Sequence, residues 1–281
     1  MTWGAPTYLY VPGNRPDRFD KAVTVGADGV VIDLEDAVAW SDKMSARSAV
    51  AGWLTDLAPA QEPSRVWVRV NHRADLIAAD LDAVVRPGLA GIWLPKCDGP
   101  DDIAAVAALI APLEASRGMC ELPICPLIET GQGLLAAAAI AACDRVPFLQ
   151  LGEIDLSVEL GIDPDPDGAE LVWARGQIVA ASAAAGCRPP PAAVSVVTRD
   201  LEAFGADTRR FKRQGFWGRA CIHPAQVAVA AEVFRPDETE LVWARNVLSQ
   251  LANGGVVLDA QGRLLDEAVA RRARRLVADG E

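Results

Sequence analysis

With 281 residues, 51% of them apolar, the chain can bury one large core, as a single α/β barrel or as two smaller domains. Its 38 acidic and 27 basic side chains give a formal charge of −11, which excludes the broad basic surface of a sequence-independent nucleic-acid binder; any anion must meet a local cluster. No uncharged apolar run is long enough to span a bilayer, the first residues lack the charged-then-apolar order of a signal peptide, and six cysteines are scattered without a C-x-x-C pair, a reduced, cytoplasmic pattern.

Eight short β-type runs follow in order: YLYV (8–11), GVVIDLE (29–35), VWVRVN (66–71), GIWLPK (91–96), PICPLIE (123–129), FLQLGEID (148–155), AAVSVV (192–197) and RACIHP (219–224). Stretches with helical spacing, such as DIAAVAALIAPLEA and GAELVWARGQIVAASAAAG, separate them. Strand-helix alternation of this kind predicts a parallel sheet, and eight units in this length fit a closed (β/α)8 TIM barrel, with an open doubly wound sheet as the fallback. The seventh run, after Arg-Pro-Pro-Pro, carries the weakest strand signal. Beyond Pro236 two helical segments, roughly Glu238 to Ala252 and Leu264 to Ala278, flank NGGVVLDAQG, a hairpin or loop.

In such a barrel the active site forms at the strand ends that lead into the helices. Glu35, Asp36, Arg69, Asn71, Lys96, Glu129, Asp155 and His223 fall there. Glu129 and Asp155, on successive strands with no histidine or cysteine beside them, form an oxygen-only pair that suits Mg²⁺ or Mn²⁺; the alternative is that each acid pairs with an arginine or caps a helix. Arg69, flanked by valines, either meets an anion or bridges to Glu35 or Asp36. Lys96 reads as an ion-paired side chain ahead of a Schiff-base lysine, and His223 as a hydrogen-bonded wall residue. Arg15, Arg18 and Lys21, three apart after the Pro12-Gly13-Asn14 turn, form either a phosphate seat or a salt-bridged helix with Asp17 and Asp20.

Taken in order, VPGNRPDRFDKA, VVIDLEDAV, VRVN, LPK, PLIETGQG, GEIDL and CIHPAQ resemble the citrate lyase beta subunit and malyl-CoA lyase group of the HpcH/HpaI aldolase superfamily, over nearly the whole chain. The resemblance implies a barrel over residues 1–235 and a C-terminal helical extension, 236–281, packing on a neighbouring subunit. It implies Mg²⁺ held by Glu129 and Asp155, with Glu35 and Asp36 supporting metal-bound water. Arg69 would lie beside the substrate carbonyl; Lys96, Arg15, Arg18 and Lys21 complete the substrate-binding set, the last three toward the phosphates of CoA. The implied activity is carbon–carbon cleavage or formation of a β-hydroxyacyl thioester, such as malyl-CoA, citramalyl-CoA or a citryl thioester carried on CoA or an acyl carrier. A CoA-independent 2-oxoacid aldolase, a thioester hydrolase and a non-catalytic CoA-binding protein are the rivals. In the tail, Asp266 of GRLLDEAVARRARRLV either caps its helix or, as the resemblance implies, completes the site of a neighbour in a homo-oligomer, a trimer, as catalytic acid.

Overall fold

The computed structural model describes residues 6–57, 65–252, 255–259 and 261–280. The first five residues of the N-terminal stretch found to lack signal-peptide order, and part of the tail loop, at 253, 254 and 260, lie outside them. Strands and helices alternate: β1 (Thr7–Pro12), α1 (Phe19–Thr24), β2 (Gly29–Asp33), α2 (Lys43–Asp56), β3 (Val66–Arg69), α3 (Ile77–Val84), β4 (Leu89–Leu94), α4 (Pro100–Arg117), β5 (Ile124–Ile128), α5 (Gly131–Ala141), β6 (Gln150–Leu151), α6 (Glu153–Leu160), α7 (Val172–Ala185), α8 (Leu201–Arg213), β7 (Arg219–Cys221) and α9 (Pro224–Phe234). The first seven strands make one sheet in the order β6-β5-β4-β3-β2-β1-β7, and every pairing in it is parallel.

Period-2 alternation sends the two faces of each strand into different environments. Leu9, Val30, Ile32, Val68, Ile92 and Ile124 pack in the large core that also takes in the helices. Tyr8, Val31, Trp93, Cys125, Leu127 and Phe148 form a second cluster, joined by Tyr10 and Trp67. This second face curls onto itself. Strands β1 and β6 are five spacings apart, about 24 Å in a flat sheet, yet the Tyr8 and Phe148 rings are 5.6 Å apart and the Tyr10 hydroxyl reaches Gln150 at 3.1 Å. Gly91 makes room for the filling: a Cβ there would fall 2.3 Å from Trp67 Cζ3.

Three sequence expectations are corrected. The run 192–197 forms no strand; Ala192 makes one isolated parallel bridge to Arg219 beside β7, so the sheet has seven strands where eight were expected. Its leading prolines lack the N–H groups that a ladder needs. The run 148–155 is strand only at Gln150–Leu151, because Gly152 breaks it and Glu153 opens a helix. The strand at 29–35 stops at Asp33, leaving Glu35 and Asp36 in the turn that follows.

The tail forms α10 (Glu238–Gln250), an antiparallel hairpin of β8 (Val257–Leu258) and β9 (Leu264–Leu265), and α11 (Glu267–Gly280). Ala244, Val247, Leu265, Ala273 and Leu276 give it a small core of its own. Among the described residues, no helix is long and apolar enough to cross a membrane.

Candidate active site

Parallel register carries the site. Asp33 on β2 stands opposite Arg69 on β3, and Arg69 opposite Trp93 on β4. Arg69 grips Asp33 with both arms of its fork, Nε to Oδ1 at 2.8 Å and Nη2 to Oδ2 at 2.6 Å, while Nη1 lies 3.1 Å from Glu35 Oε2. Asp36, exposed at the mouth, is 3.9 Å from Nη1. The guanidinium also lies over the Tyr10 ring, 5.5 Å from its centroid. Burial opposes its charge, but Asp33 outweighs burial and holds Arg69 well above the ordinary arginine range. The expected bridges to Glu35 and Asp36 are therefore present, and the principal partner is Asp33.

Lys96 is ion-paired. Its Nζ bonds Glu35 Oε1 and stands 3.9 Å from Glu129 and from Asp36, and its backbone N–H donates to Glu129 Oε1 at 2.8 Å. The residue sits at φ 50°, a left-handed conformation that these two acids hold in place. Burial disfavours the ammonium, yet its bond to Glu35 keeps the pKa above the ordinary lysine value, the reverse of what an amine nucleophile needs. Glu35 is pushed up, mainly by burial, against the pull of Arg69 and Lys96. Behind this acid turn, Lys43 Nζ donates to the carbonyls of Leu34 and Glu35 and to Asn71 Oδ1 at 2.6–2.7 Å.

Glu129 follows β5 and is 1% exposed; burial, opposed by Lys96, pushes its pKa to about 8. Its Oε1 accepts from Lys96, whereas Oε2 is buried without a hydrogen-bond partner among the described residues. The neighbouring Gly152 leaves that oxygen its space, since a Cβ there would stand 2.6 Å from Oε2. Asp155 lies in the first turn of α6 and not at a strand end as expected, but it lines the same cleft as Glu129 and raises that residue's pKa further. The donor set is thus one buried and one half-buried carboxylate, which fits a hard, oxygen-preferring cation with ligands left over for substrate or water.

The cleft encloses about 890 Å³. Arg18 and Lys21 line its rim; Arg15 does not, because Asp17, two residues on, holds it in a bidentate pair at 2.7–2.8 Å. Of the three cations only Arg18 and Lys21 line the cleft. His223 lines the wall and caps α9, Nδ1 accepting from the Ala225 N–H, as a wall residue should. Asp266 does not line the cleft of its own chain; its Oδ1 accepts from the N–H groups of Ala268 and Val269 and caps α11. Asp33, Lys43 and Gln150 escaped the sequence reading, although Asp33 in GVVIDLE and Gln150 in FLQLGEID are polar residues inside apolar runs, a signal for a buried partner or a ligand.

A curled parallel sheet with a buried acid, an arginine–carboxylate fork and rim cations at its carboxyl edge has the makings of an α/β enzyme active site. Residues 7–224 match the HpcH/HpaI aldolase/citrate lyase family. The chain belongs to that family. It is similar to the citrate lyase subunit beta-like protein of Deinococcus radiodurans, 34% identical over 276 residues, covering 96% of this chain and 95% of the relative. It is also similar to the (3S)-malyl-CoA thioesterase of Cereibacter sphaeroides, 32% identical over 278 residues and covering 97% and 93%. Among solved structures, CitE from Mycobacterium tuberculosis in complex with magnesium, acetoacetate and coenzyme A superimposes with a TM-score of 0.83 at 31% identity, covering all of both chains.

Proposed function

We propose that the protein is a Mg²⁺-dependent carbon–carbon lyase that cleaves or forms a β-hydroxyacyl-CoA ester, with an acyl thioester and a 2-oxoacid as the two fragments. The observation that carries this reading is the buried Glu129 Oε2, an acceptor without a donor among the described residues, on the wall that Glu129 shares with Asp155. Magnesium and CoA together in the similar CitE structure support it. Glu129 and Asp155 would hold the ion, which would supply Lewis-acid polarisation of the oxoacid oxygens. Arg69, locked by Asp33, presents a preorganised cation to charge developing on the substrate carbonyl. Glu35 and Asp36 order water at the mouth, Lys96 keeps Glu35 in place, and Arg18 and Lys21 receive the CoA phosphates. A second reading, hydrolysis of the thioester after condensation, is favoured by the likeness to a malyl-CoA thioesterase.

Incubation with malyl-, citramalyl- and citryl-CoA in the presence of Mg²⁺ is expected to release a 2-oxoacid in step with acyl-CoA and no free thiol. Stoichiometric CoA thiol selects the hydrolase, and absence of both products from every ester removes both readings. In the same assay Arg18→Ala/Lys21→Ala should raise KM for the CoA ester by roughly tenfold or more, because lost phosphate contacts act on uniform binding. An unchanged KM would return the pair to a solvated helix.

We read the curled sheet as a (β/α)8 barrel over residues 1–235 whose seventh position is reduced to the Ala192 bridge. Residues 236–281 are then an extension that packs on a neighbouring subunit of a cytoplasmic homotrimer. There Asp266 reaches the neighbour's cleft and delivers the proton that quenches the acyl-thioester carbanion. Mixing Asp266→Asn with Glu129→Gln protein should then restore activity well above either variant, since a mixed oligomer pairs an intact Glu129 with an intact Asp266. Confirmed subunit exchange with no gain, together with near-normal turnover of Asp266→Asn alone, would leave Asp266 as a helix cap only.

A further inference from the structure

Lys43, Asn71 and Asp80 stand behind the acid turn, and none of them lines the cleft. Lys43 is the first residue of α2, at the helix end where the dipole disfavours a cation. Its ammonium uses all three of its N–H groups on the turn and its neighbour: the Leu34 carbonyl at 2.7 Å, the Glu35 carbonyl at 2.6 Å and Asn71 Oδ1 at 2.7 Å. All three acceptors are neutral. Burial pulls the amine below the ordinary lysine value, against the charges of Asp33, Glu35, Asp80 and Asp36. Asn71 continues the network. An ammonium only donates, so the atom facing Lys43 is the amide oxygen, and Nδ2 donates to the Leu34 carbonyl at 3.0 Å and to Asp80 Oδ2 at 2.6 Å. Asp80 is 1% exposed; its Oδ2 also accepts from the Asn71 backbone N–H at 2.9 Å and its Oδ1 from Arg47 Nε at 2.7 Å, which ties α2 and α3 to the residues just past β3.

The turn that carries Glu35 and Asp36 is thereby held from two sides. In front, the Asp33 carboxylate accepts from the N–H groups of Glu35 and Ala37 at 2.8 and 3.0 Å. Behind, Lys43 and Asn71 donate to the carbonyls of Leu34 and Glu35, and the Glu35 carbonyl also receives the Val38 N–H at 3.0 Å. The Glu35 side chain therefore meets Lys96 and Arg69 from a backbone whose peptide planes cannot turn without breaking one of these bonds.

We infer that Lys43, braced by Asn71 and Asp80, is a positioning residue that sets the Glu35–Asp36 turn from behind and so fixes where these two carboxylates stand at the mouth of the cleft. Its action at the mouth rests on the lyase reading above, in which those acids order water; its hold on the turn does not. Misplacing a positioned group by about 1 Å costs a factor of up to about 10² in rate. Loosening the turn should therefore lower turnover and leave binding of the CoA ester, which Arg18 and Lys21 meet at the rim, close to unchanged. Lys43→Met keeps the length and apolar stem of the side chain and removes its donors and charge. Lys43→Gln keeps amide donors, should show the same pattern with a smaller loss, and serves if Lys43→Met does not fold.

Hydrogen exchange of the metal-free protein should show the N–H groups of Glu35, Ala37 and Val38 exchanging roughly tenfold or more faster in Lys43→Met, with β4 and β5 changed less than about threefold. With whichever β-hydroxyacyl-CoA the wild type cleaves, kcat should fall roughly tenfold or more while KM changes less than about threefold. Melting curves show whether each variant is folded. Unchanged exchange over 35–38, exchange that rises equally in every strand, an unchanged kcat, a loss carried by KM alone, or failure of both variants to fold overturns the role of Lys43 and leaves the lyase reading standing. A wild type that releases no oxoacid from any ester removes the lyase reading and with it the action at the mouth, while exchange still decides whether Lys43 holds the turn.

Discussion

Replacement of Glu129 by glutamine is expected to abolish turnover, lowering kcat by a factor of roughly 10³ or more, about 4 kcal/mol of barrier, and yet to stabilise the metal-free fold at alkaline pH. The first effect follows from the proposed metal site, in which Glu129 is the buried member of the carboxylate pair that lines the cleft. The second follows from linkage. Burial raises the Glu129 pKa from 4.5 to about 8 in the folded chain, so the folded state holds its proton more tightly than the unfolded state does. The stability this contributes is fully present below the unfolded value, near 4.5, and is lost as pH rises through the folded value, near 8. Glutamine has no proton to lose. In chelator, wild-type and variant protein should melt at similar temperatures at pH 4.5, and by pH 8.5 the variant should melt several degrees higher; added Mg²⁺ should close the gap by stabilising only the wild type. Equal Mg²⁺ affinity of the two proteins by calorimetry, or parallel pH profiles of melting, would remove Glu129 from the metal site.

Arg69→Ala should cost about 3–5 kcal/mol of folding stability as well as activity. Asp33 is 1% exposed, and its carboxylate is kept below the ordinary range because Arg69 and the N–H groups of Glu35 and Ala37 together overcome burial, the largest single influence on it. Truncating the arginine leaves Asp33 buried without its bidentate partner and Glu35 without the cation 3.1 Å away. Arg69→Lys restores a charge but no planar fork, so it should recover part of the stability and little of the turnover. Denaturant unfolding of the three proteins measures the first, and oxoacid release the second. A loss below about 1 kcal/mol for Arg69→Ala would mean that water reaches Asp33 and that the pair behaves as an exposed one.

Much of this site is written in local pattern. Alternation of apolar runs with helical spacing predicts parallel strands, and the rule that function gathers where strands run into helices picks out Glu35, Arg69, Lys96 and Glu129, all of which meet in the structure. The tail helices also follow the predicted segments, α10 lying within its own and α11 running from inside its own to Gly280, two residues beyond it, because amphipathic spacing and the Asp266 cap are local signals. Arg15 shows how far such signals reach: its partner is Asp17, two residues away, and the sequence alone left open whether the cluster faced an anion or its own carboxylates.

What escaped depends on pairs distant in sequence. Asp33 meets Arg69 across 36 residues only because β2 and β3 pair in that register. Gln150 meets Tyr10 across 140 residues only because the sheet curls. Composition and periodicity determined most of the strands and helices, since these follow from neighbours along the chain, while the run 192–197 formed no strand and the ends of the strands at 29–35 and 148–155 fell elsewhere than expected. Register and curvature decided which of those ends touch and which acid keeps an oxygen unpaired among the described residues, because burial and hydrogen bonding are settled only when remote strands close around the same space.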